Sequence, residues 1–594
     1  MLPSDIGARR KTPRLAGIWR LSVALSLGVA VLIPIVQFAT LFPLTVNVPT
    51  WDQWNFASIW RAYFHHEAVF PRLIAPFNGH FMFLPRVLFF VLGLLTRWNV
   101  RAEVLVTYVA FAAILAIFVA MLARSDPRLL VVAAPVSAYL FYLDQSESFL
   151  AGMTLSEAMA VLGIVASIFF LTGRSLSRAR FALALASAIA ASLSWGIGLV
   201  AWPVGLLAIL LRRERRRIEA TVWCLTGGLF VLAAQRVFQE SETRASIPKA
   251  FAFLLVLLGR PFSLKETPSV VEARDLGAAV LLLFLALVLV SFRRRELSPW
   301  VFVGVSGLAG ATLIALGRAE HRFKEGEPIV QALVSHYVLA VSPLAVAILA
   351  MGGRTLIAWG DRARHPRRPV SAALLGLLVA APLFQTAMAS RAWIPAIRSS
   401  AATLSEGKRA ILAGTITSEQ IRMAFHRDPG LVFDGIEVLR RYHLSCFADF
   451  PDAAEADAIG PAVGNVDLVA GATAEPDRRF EVVLGRAWDI RGWAADDPYV
   501  GRPVDRLELF VDGAPVASAE LGRRRPDLVK RFQRQAFLDC GWMITVPESA
   551  LRKPKEHRLE IRVRDRRGQI SPFWTGRILA RSPAQEARSA QPVK

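Results

Sequence analysis

Cysteine is nearly absent from this 594-residue chain: Cys224, Cys446 and Cys540 are the only three, and none has the spacing of a zinc or haem site. Acidic side chains are few, 47 against 69 Lys plus Arg, which leaves a formal charge of +22. No Gly-rich loop stands at a strand–helix junction, so direct use of a nucleotide sugar has no support. Internal repeats are lacking, and only the polar last 14 residues are of low complexity. Charged residues make up just 20% of the chain, whereas 54% are hydrophobic, with 15 Trp, 36 Phe and a mean hydropathy of +0.42. Apolar runs of roughly 20 residues read as membrane spans. Their number here excludes an ordinary soluble enzyme.

A +22 charge on a soluble protein would suggest nucleic acid. Here the arginines sit in short loops between apolar runs, as cytoplasmic loops of membrane proteins do, and nucleic acid is not implied. Residues 1–20 carry Arg9, Arg10, Lys11, Arg14 and Arg20 ahead of an apolar stretch from Leu21 to Leu41. That stretch is too long for a cleaved signal, and no small-residue site follows, so it reads as a retained anchor with a cytoplasmic N-terminus. Further basic clusters mark the cytoplasmic side: Arg174, Arg178 and Arg180; Arg212, Arg213, Arg215, Arg216 and Arg217; Arg293, Arg294 and Arg295; Arg354, Arg362, Arg364, Arg367 and Arg368. An even number of crossings must separate consecutive clusters. Hairpins are therefore expected from 181–194 with 196–211, 219–238 with 276–292, and 299–316 with 334–352, before 370–390 carries the chain out. The short run 249–259 does not cross in this reading. Nor does 81–96, where Pro85 and Arg86 interrupt the run and an intramembrane Arg would be costly. Runs at 103–122, 129–143 and 155–173 add three crossings ahead of the Arg174 cluster, so about eleven spans result, or about thirteen if 81–96 and 249–259 also cross.

Beyond residue 390 the apolar runs shorten. Residues 391–464 read as a mixed helical linker outside the membrane. Over 465–580 the pattern becomes alternating strands, with Asp512-Gly513 as a hairpin turn, and predicts a small antiparallel β-sandwich. Residues 581–594 read as a disordered tail. Cys446 and Cys540 both fall in this outer part, where a disulfide is permitted but its geometry stays open. Trp493 reads as a core residue in preference to a sugar platform.

Chemistry is expected first in the outer loop 45–80, which carries Trp51-Asp52-Gln53-Trp54, His65-His66-Glu67 and Asn78-Gly79-His80. Trp51, Trp54 and Trp60 alone fit an interfacial aromatic belt. Asp52 is different, because a carboxylate between two Trp, with no neighbouring Lys or Arg, suits a general base or a ligand of a divalent cation.

Trp51-Asp52-Gln53-Trp54, followed by Asn78-Gly79-His80-Phe81 and Leu84-Pro85-Arg86, resembles the first outer loop of bacterial multispanning glycosyltransferases of the GT-C superfamily. Members of that group carry Glu and Arg where Gly79 and Phe81 stand here. Asp144-Gln145-Ser146-Glu147 is similar to the group's second outer loop, with Glu147 as a second carboxylate. Gly317-Arg318, Gly326 and Ser335-His336-Tyr337 resemble a late Gly-Arg, Gly, Ser-Arg-Tyr pattern in which His336 replaces the Arg. The tail segments Gly492-Trp493-Ala494 and Cys540-Gly541-Trp542 resemble a β-sandwich module appended to such enzymes.

The resemblance implies an integral membrane protein of the bacterial inner membrane that transfers a sugar from a polyprenyl-phosphate-linked donor to an envelope glycan or glycolipid acceptor on the outer face. Asp52 and Glu147 would be catalytic. Arg318, His80, Arg86, Gln53, Trp54 and Tyr337 would bind the donor phosphate and substrate, Arg318 by a bidentate guanidinium contact. The motifs by themselves imply no cofactor; a divalent cation, Mg or Mn, could assist through Asp52 and Glu147, though two separated carboxylates are few for an octahedral ion. The rival readings are a transporter or flippase of lipid-linked glycans and a non-catalytic assembly protein. The transporter would place ionisable or broken-helix features at mid-membrane.

Overall fold

The computed structural model describes residues 13–77, 80–173, 175–212, 216–238, 246–263, 268–293, 298–320, 328–362, 367–448, 463–470, 472–473, 479–495, 503–532, 535–564 and 570–583. Arg9, Arg10, Lys11, Asn78, Gly79, Arg174, Arg213, Arg215, Arg294, Arg295, Gly326, Arg364 and nearly all of the expected tail lie outside them. The chain forms two compact units, one of residues 1–47 and 68–401, the other of residues 48–67 and 402–594. The outer loop 45–80 is thus divided, with 48–67 belonging to the C-terminal unit.

The first unit is helical. Among the described residues of the chain, nine helices are long and apolar enough to cross a membrane: Gly17–Leu44, Val100–Ser125, Pro127–Leu150, Gly152–Leu171, Arg217–Arg236, Val270–Arg293, Pro299–Arg318, Ser335–Arg362 and Pro369–Leu412. Burial sorts them. Pro127–Leu150 and Ser335–Arg362 are 89% buried over their apolar windows, against 17% for Gly17–Leu44, Arg217–Arg236 and Val270–Arg293. The outer helices expose Leu225, Leu229, Leu232, Leu282 and Leu289. Continuous apolar surface of this kind is stable against lipid and costly in water. The chain reads as a multi-pass membrane protein.

One group of basic residues gathers at one end of this unit. Arg124 bonds the Phe169 carbonyl and covers its ring, Arg180 bonds the same carbonyl, and Arg212 bonds the carbonyls of Leu171 and Gly173. Arg128 pairs with Asp126 at 2.8 Å and Asp361 at 2.7 Å, while Trp300 Nε1 donates to Ser125. The two expected non-crossing segments form short helices, Phe83–Thr96 and Ile247–Gly259. Leu84 N–H donates to the Leu193 carbonyl, and the helix that follows Phe83–Thr96 opens with Val100 N–H on Asn47 Oδ1. At 14 and 13 residues, Phe83–Thr96 and Ile247–Gly259 are both shorter than the helices long enough to cross a membrane. Gly259 and Gly277 have no room for a Cβ, because Gly259 packs on the Ala273 carbonyl and Gly277 on that of Leu255.

Pro127–Leu150 is not one continuous helix. It runs as a 3-10 turn at Pro127–Val132, a helix at Ala133–Leu140, a second 3-10 turn at Leu143–Gln145 and a short helix at Ser146–Leu150. Buried backbone groups freed at the breaks need other partners. Gln37 Nε2 donates to the Phe141 carbonyl, and Gln145 Nε2 donates to those of Tyr139 and Leu140. Asp144 accepts a fork of two bonds from Arg260, at 2.9 and 2.6 Å, with both side chains almost fully buried. Gln385 ties the same region together by donating to Pro261 and Ser263 and accepting from Tyr139.

Among the described residues of the second unit, ten strands form two sheets. They are β1 Val463–Val469, β2 Ala472–Thr473, β3 Arg479–Val483, β4 Trp488–Ala495, β5 Arg506–Val511, β6 Ala514–Ser518, β7 Glu520–Arg523, β8 Gly541–Val546, β9 Glu556–Arg564 and β10 Ile570–Arg581. The sheet orders are β2-β1-β4-β8-β7 and β3-β10-β9-β5-β6. All described pairs are antiparallel except β3 with β10. Alternate residues of both sheets, among them Val466, Ile490, Leu507, Leu509, Trp542, Ile544, Leu559, Ile561 and Ile578, share one apolar core. Trp493 is buried in a second cluster with Leu528, Phe537 and Cys540. Cys446 and Cys540 are both buried and are not joined to each other, so the permitted disulfide is not formed. Burial pushes the Cys540 thiol up to about 12.

Two outcomes test this account. Arg260→Met, which strands the Asp144 carboxylate, should lower stability in detergent by about 3–5 kcal/mol, whereas Arg260→Met with Asp144→Leu should recover most of that loss in the same thermal melt. Asp512, at φ 50° in the turn, is held down to about 2 by the backbone N–H of Arg558, helped by His557 and Lys555. A depressed carboxyl stabilises the fold above its ordinary value of 3.8 and loses that contribution as pH falls toward 2. Asp512→Asn, which keeps the turn geometry, should therefore melt earlier than wild type at pH 7 and match it near pH 2.

Candidate functional site

The first unit brings a group of ionisable side chains together at its helix ends. Glu147 lies in the short helix Ser146–Leu150, and His336 in the 3-10 turn Ser335–Tyr337 that leads into the helix Val338–Arg362. His336 Nδ1 is 3.2 Å from Glu147 Oε2, and both side chains are about one-third exposed, at 28% and 33%. Glu157, in the first turn of Leu155–Leu171, is buried and within electrostatic reach of His336, Glu147 and Arg318. Arg318 ends the helix Pro299–Arg318 and bonds the Tyr337 hydroxyl. These residues stand where helices end or begin opposite the arginine-rich loops.

His80 adjoins the group. It closes a turn through mutual backbone bonds with Phe77 at 2.9 and 2.8 Å, and its ring lies 4.5 Å from that of Trp195. A Cβ on Gly196 would meet His80 Nδ1 at 2.5 Å, so glycine is needed there. Burial, and secondarily the charge of Arg318, pushes the His80 imidazole down to about 4. His80 is neutral at physiological pH. Arg86 is buried and engaged with the chain: it donates to the carbonyls of Arg72 and Ala75 and faces the Phe77 ring at 5.4 Å. Its charge thus closes the short helix Phe70–Ile74, a favourable place for a cation.

The residues 51–54 belong to the second unit. Thr50 caps the turn Trp51–Phe56 through a capping box with Gln53, which is completely buried and accepts from Thr50 N at 3.0 Å. Trp54 is equally buried, edge-on to Phe425 at 6.2 Å and against Gly435, which has no space for a Cβ. Trp51 N–H donates to the Phe425 carbonyl at 2.7 Å. These contacts leave Asp52 partly exposed, its Oδ1 3.6 Å from His426 Nε2. Asp428 N–H donates to His426 Nδ1 at 3.0 Å, which requires a lone pair there and puts the neutral ring's proton on Nε2, facing Asp52. The sequence offers Asp52 no neighbouring Lys or Arg; a histidine from 374 positions downstream supplies an imidazole beside it.

Glu147, Arg318, Tyr337 and His80 are thus brought together, whereas Gln53, Trp54 and Arg86 are occupied with capping, packing and helix closure. Asp52 stands with His426 in the other unit. Sequence reasoning missed Glu157, which sits inside a run assigned to a span; an acid within such a run is itself a signal. It also read His336 only as a replacement and passed over His426, for which no local pattern exists. Among the described residues no three His, Cys, Asp or Glu side chains form a metal-binding group. The chain finds no match among protein-family models, curated proteins or solved structures.

Chemically, the first-unit group pairs proton acceptors, Glu147 and His336, with a guanidinium and a phenol able to bind an anion. The lowered His80 value has a consequence for stability. A histidine whose folded value is depressed stabilises the fold above its ordinary value of 6.5 and loses that contribution as pH falls toward 4. His80→Gln should flatten the fall in melting temperature between those limits, measured in detergent by tryptophan fluorescence.

Proposed function

We propose that this protein is a glycosyltransferase of the bacterial inner membrane that moves a sugar from a polyprenyl-phosphate-linked donor to an envelope glycan or glycolipid on the outer face. The observation that carries this reading is the meeting of Glu147, His336, Glu157, Arg318 and Tyr337 at the helix ends opposite the arginine-rich loops. By the positive-inside rule those loops are cytoplasmic, which puts the group on the outer side. In full, the proposal has about eleven crossings, a cytoplasmic N-terminus, an outer C-terminal unit built as a β-sandwich, and a GT-C-like membrane part.

In this reading Arg318, with the Tyr337 hydroxyl beside it, binds the departing lipid phosphate and stabilises its growing charge. A carboxylate takes the proton of the acceptor hydroxyl as the new glycosidic bond forms and the bond to phosphate breaks. Asp52 and Glu147 are the candidates, and each has an imidazole neighbour, His426 and His336 respectively. Asp52 leads because of its place in the Trp-Asp-Gln-Trp segment; Glu147 leads by its neighbours.

A transporter of lipid-linked glycans is the second reading. The broken segment Pro127–Leu150 and the buried Asp144–Arg260 pair within the membrane unit favour it, since transporters use such features at their substrate sites.

Mass spectrometry of envelope glycans separates the two. Cells would carry the intact protein, no protein, Asp52→Asn, Glu147→Gln or Arg318→Gln at matched membrane abundance. The enzyme reading expects loss of one sugar-sized increment in the null strain and in Arg318→Gln, and a drop of about 10²–10⁴-fold in transfer for whichever carboxylate is the base. Intact glycans in all three variants would overturn it. Unmodified lipid-linked glycan accumulating on the cytoplasmic side would establish transport.

A further inference from the structure

The outward face of the sheet β3-β10-β9-β5-β6 carries seven arginines and four glutamates: Arg479 and Glu481 on β3, Arg577 and Arg581 on β10, Glu556, Arg558, Glu560, Arg562 and Arg564 on β9, and Arg506 and Glu508 on β5. Mixed charge is ordinary on an exposed sheet, and several ion pairs form as expected, Arg581 with Glu481 at 2.5 Å and Arg562 with Glu560 at 2.7 Å. The register, however, puts like charges opposite each other. Arg577 stands directly across from Arg479 on one side and Arg558 on the other, and Arg506 stands across from Arg564. Like charges directly opposite destabilise a sheet. Glu556 reaches two members of the first row, Arg479 at 2.6 Å and Arg577 at 3.5 Å. One carboxylate is therefore shared by two of the row's three guanidiniums. In the second row Arg506 has Glu508 at 2.9 Å, while Arg564 Nε, buried beneath the face, has no hydrogen-bond partner among the described residues.

We infer that this face binds an anionic glycan, a polysaccharide strand bearing a carboxylate or phosphate group on its sugar units. Every cation contributed by the strands' outward face is an arginine, the side chain whose planar fork matches carboxylate and phosphate two bonds at a time. Neighbouring strands lie about 4.8 Å apart, so the row Arg479–Arg577–Arg558 sets three guanidiniums at a repeat comparable to successive sugar units of an extended chain. Phe510, under the Arg562 guanidinium at 4.2 Å, adds an apolar patch beside the row. Each of the four interleaved glutamates pairs with an arginine, and seven arginines against four glutamates leave the face an excess of three positive charges for an anionic partner. The inference concerns binding alone and stands whether or not the protein transfers sugar.

The test uses the purified full-length protein in detergent, with polygalacturonate as probe, dextran as neutral glycan and phosphatidylglycerol vesicles as anionic lipid. The first variant is Arg479→Gln with Arg558→Gln and Arg577→Gln. A charge-matched control changes Arg491, Arg523 and Arg552 to Gln, which removes three cations of the same unit outside this face. The row variant should bind polygalacturonate roughly tenfold more weakly than wild type, and the control within about twofold, with binding weakening as salt rises. Because the row variant removes like-charge contacts, its melting temperature should stay level or rise; Arg506→Gln with Arg564→Gln gives a second, independent loss of affinity. Equal losses in row variant and control, wild-type binding to dextran as tight as to polygalacturonate, or a loss confined to vesicle binding would each overturn the inference.

Discussion

A carboxylate in an apolar interior must be paired or neutral, and in the membrane unit that constraint is met by the fork between Asp144 and Arg260. The pair lies where Pro127–Leu150 abandons regular helix, and the backbone groups freed there are taken up by Gln37, Gln145 and their carbonyl partners. Glu147 follows three residues later, and its meeting with His336 depends on the break being held in place. Arg260 also faces the Trp393 ring at 5.7 Å, while Tyr142 and Gln385 both bond Ser263, so the fork sits inside a wider polar lattice. The turn that carries Glu147 is thus anchored by groups outside the Glu147–His336 pair itself.

The two units solve the burial problem differently. In the membrane unit many buried polar side chains are tied to backbone carbonyls, as Gln37, Ser137, Gln145, Thr154 and Gln385 are, because lipid offers no substitute partner. In the C-terminal unit the sheets divide the work by period: alternate residues enter one core and the others carry charge. Helix caps show the same economy of means in both, with Asn99, Asp126, Ser177 and Ser298 each accepting a first-turn N–H in the membrane unit, and Thr417 and Asp428 doing so beyond it.

Hydrophobic length and periodicity made much of this fold legible. The apolar runs around 103–122, 155–173, 276–292 and 299–316 lie inside helices long enough to span, and the alternation in 479–484, 506–511, 542–546 and 557–563 marks strands that form. What the sequence did not reveal depends on distance along the chain. Asp144 reads only as part of an outer-loop segment until Arg260 arrives from 116 positions away, and Glu157 reads as part of a span until Arg318 and His336 approach it. Gln53 and Trp54 illustrate the converse. A polar and an aromatic residue beside Asp52 look like binding groups, yet one closes a capping box and the other fills a core. Residue type suggested chemistry where local geometry had already claimed the side chain.

The division of the chain between its units imposes an order on synthesis. Residues 48–67 leave the ribosome early, but their packing partners come late: Arg61 reaches the Asp434 carbonyl across 373 positions. At a typical ~5–20 residues per second, that interval is roughly 20 to 75 s. Throughout it, the indole of Trp54 and the ring of Phe64 have neither Phe425 nor Tyr442 to cover them. The nascent protein therefore carries an unfinished apolar surface for most of its translation, and the last third of the polypeptide completes a unit that its first tenth began.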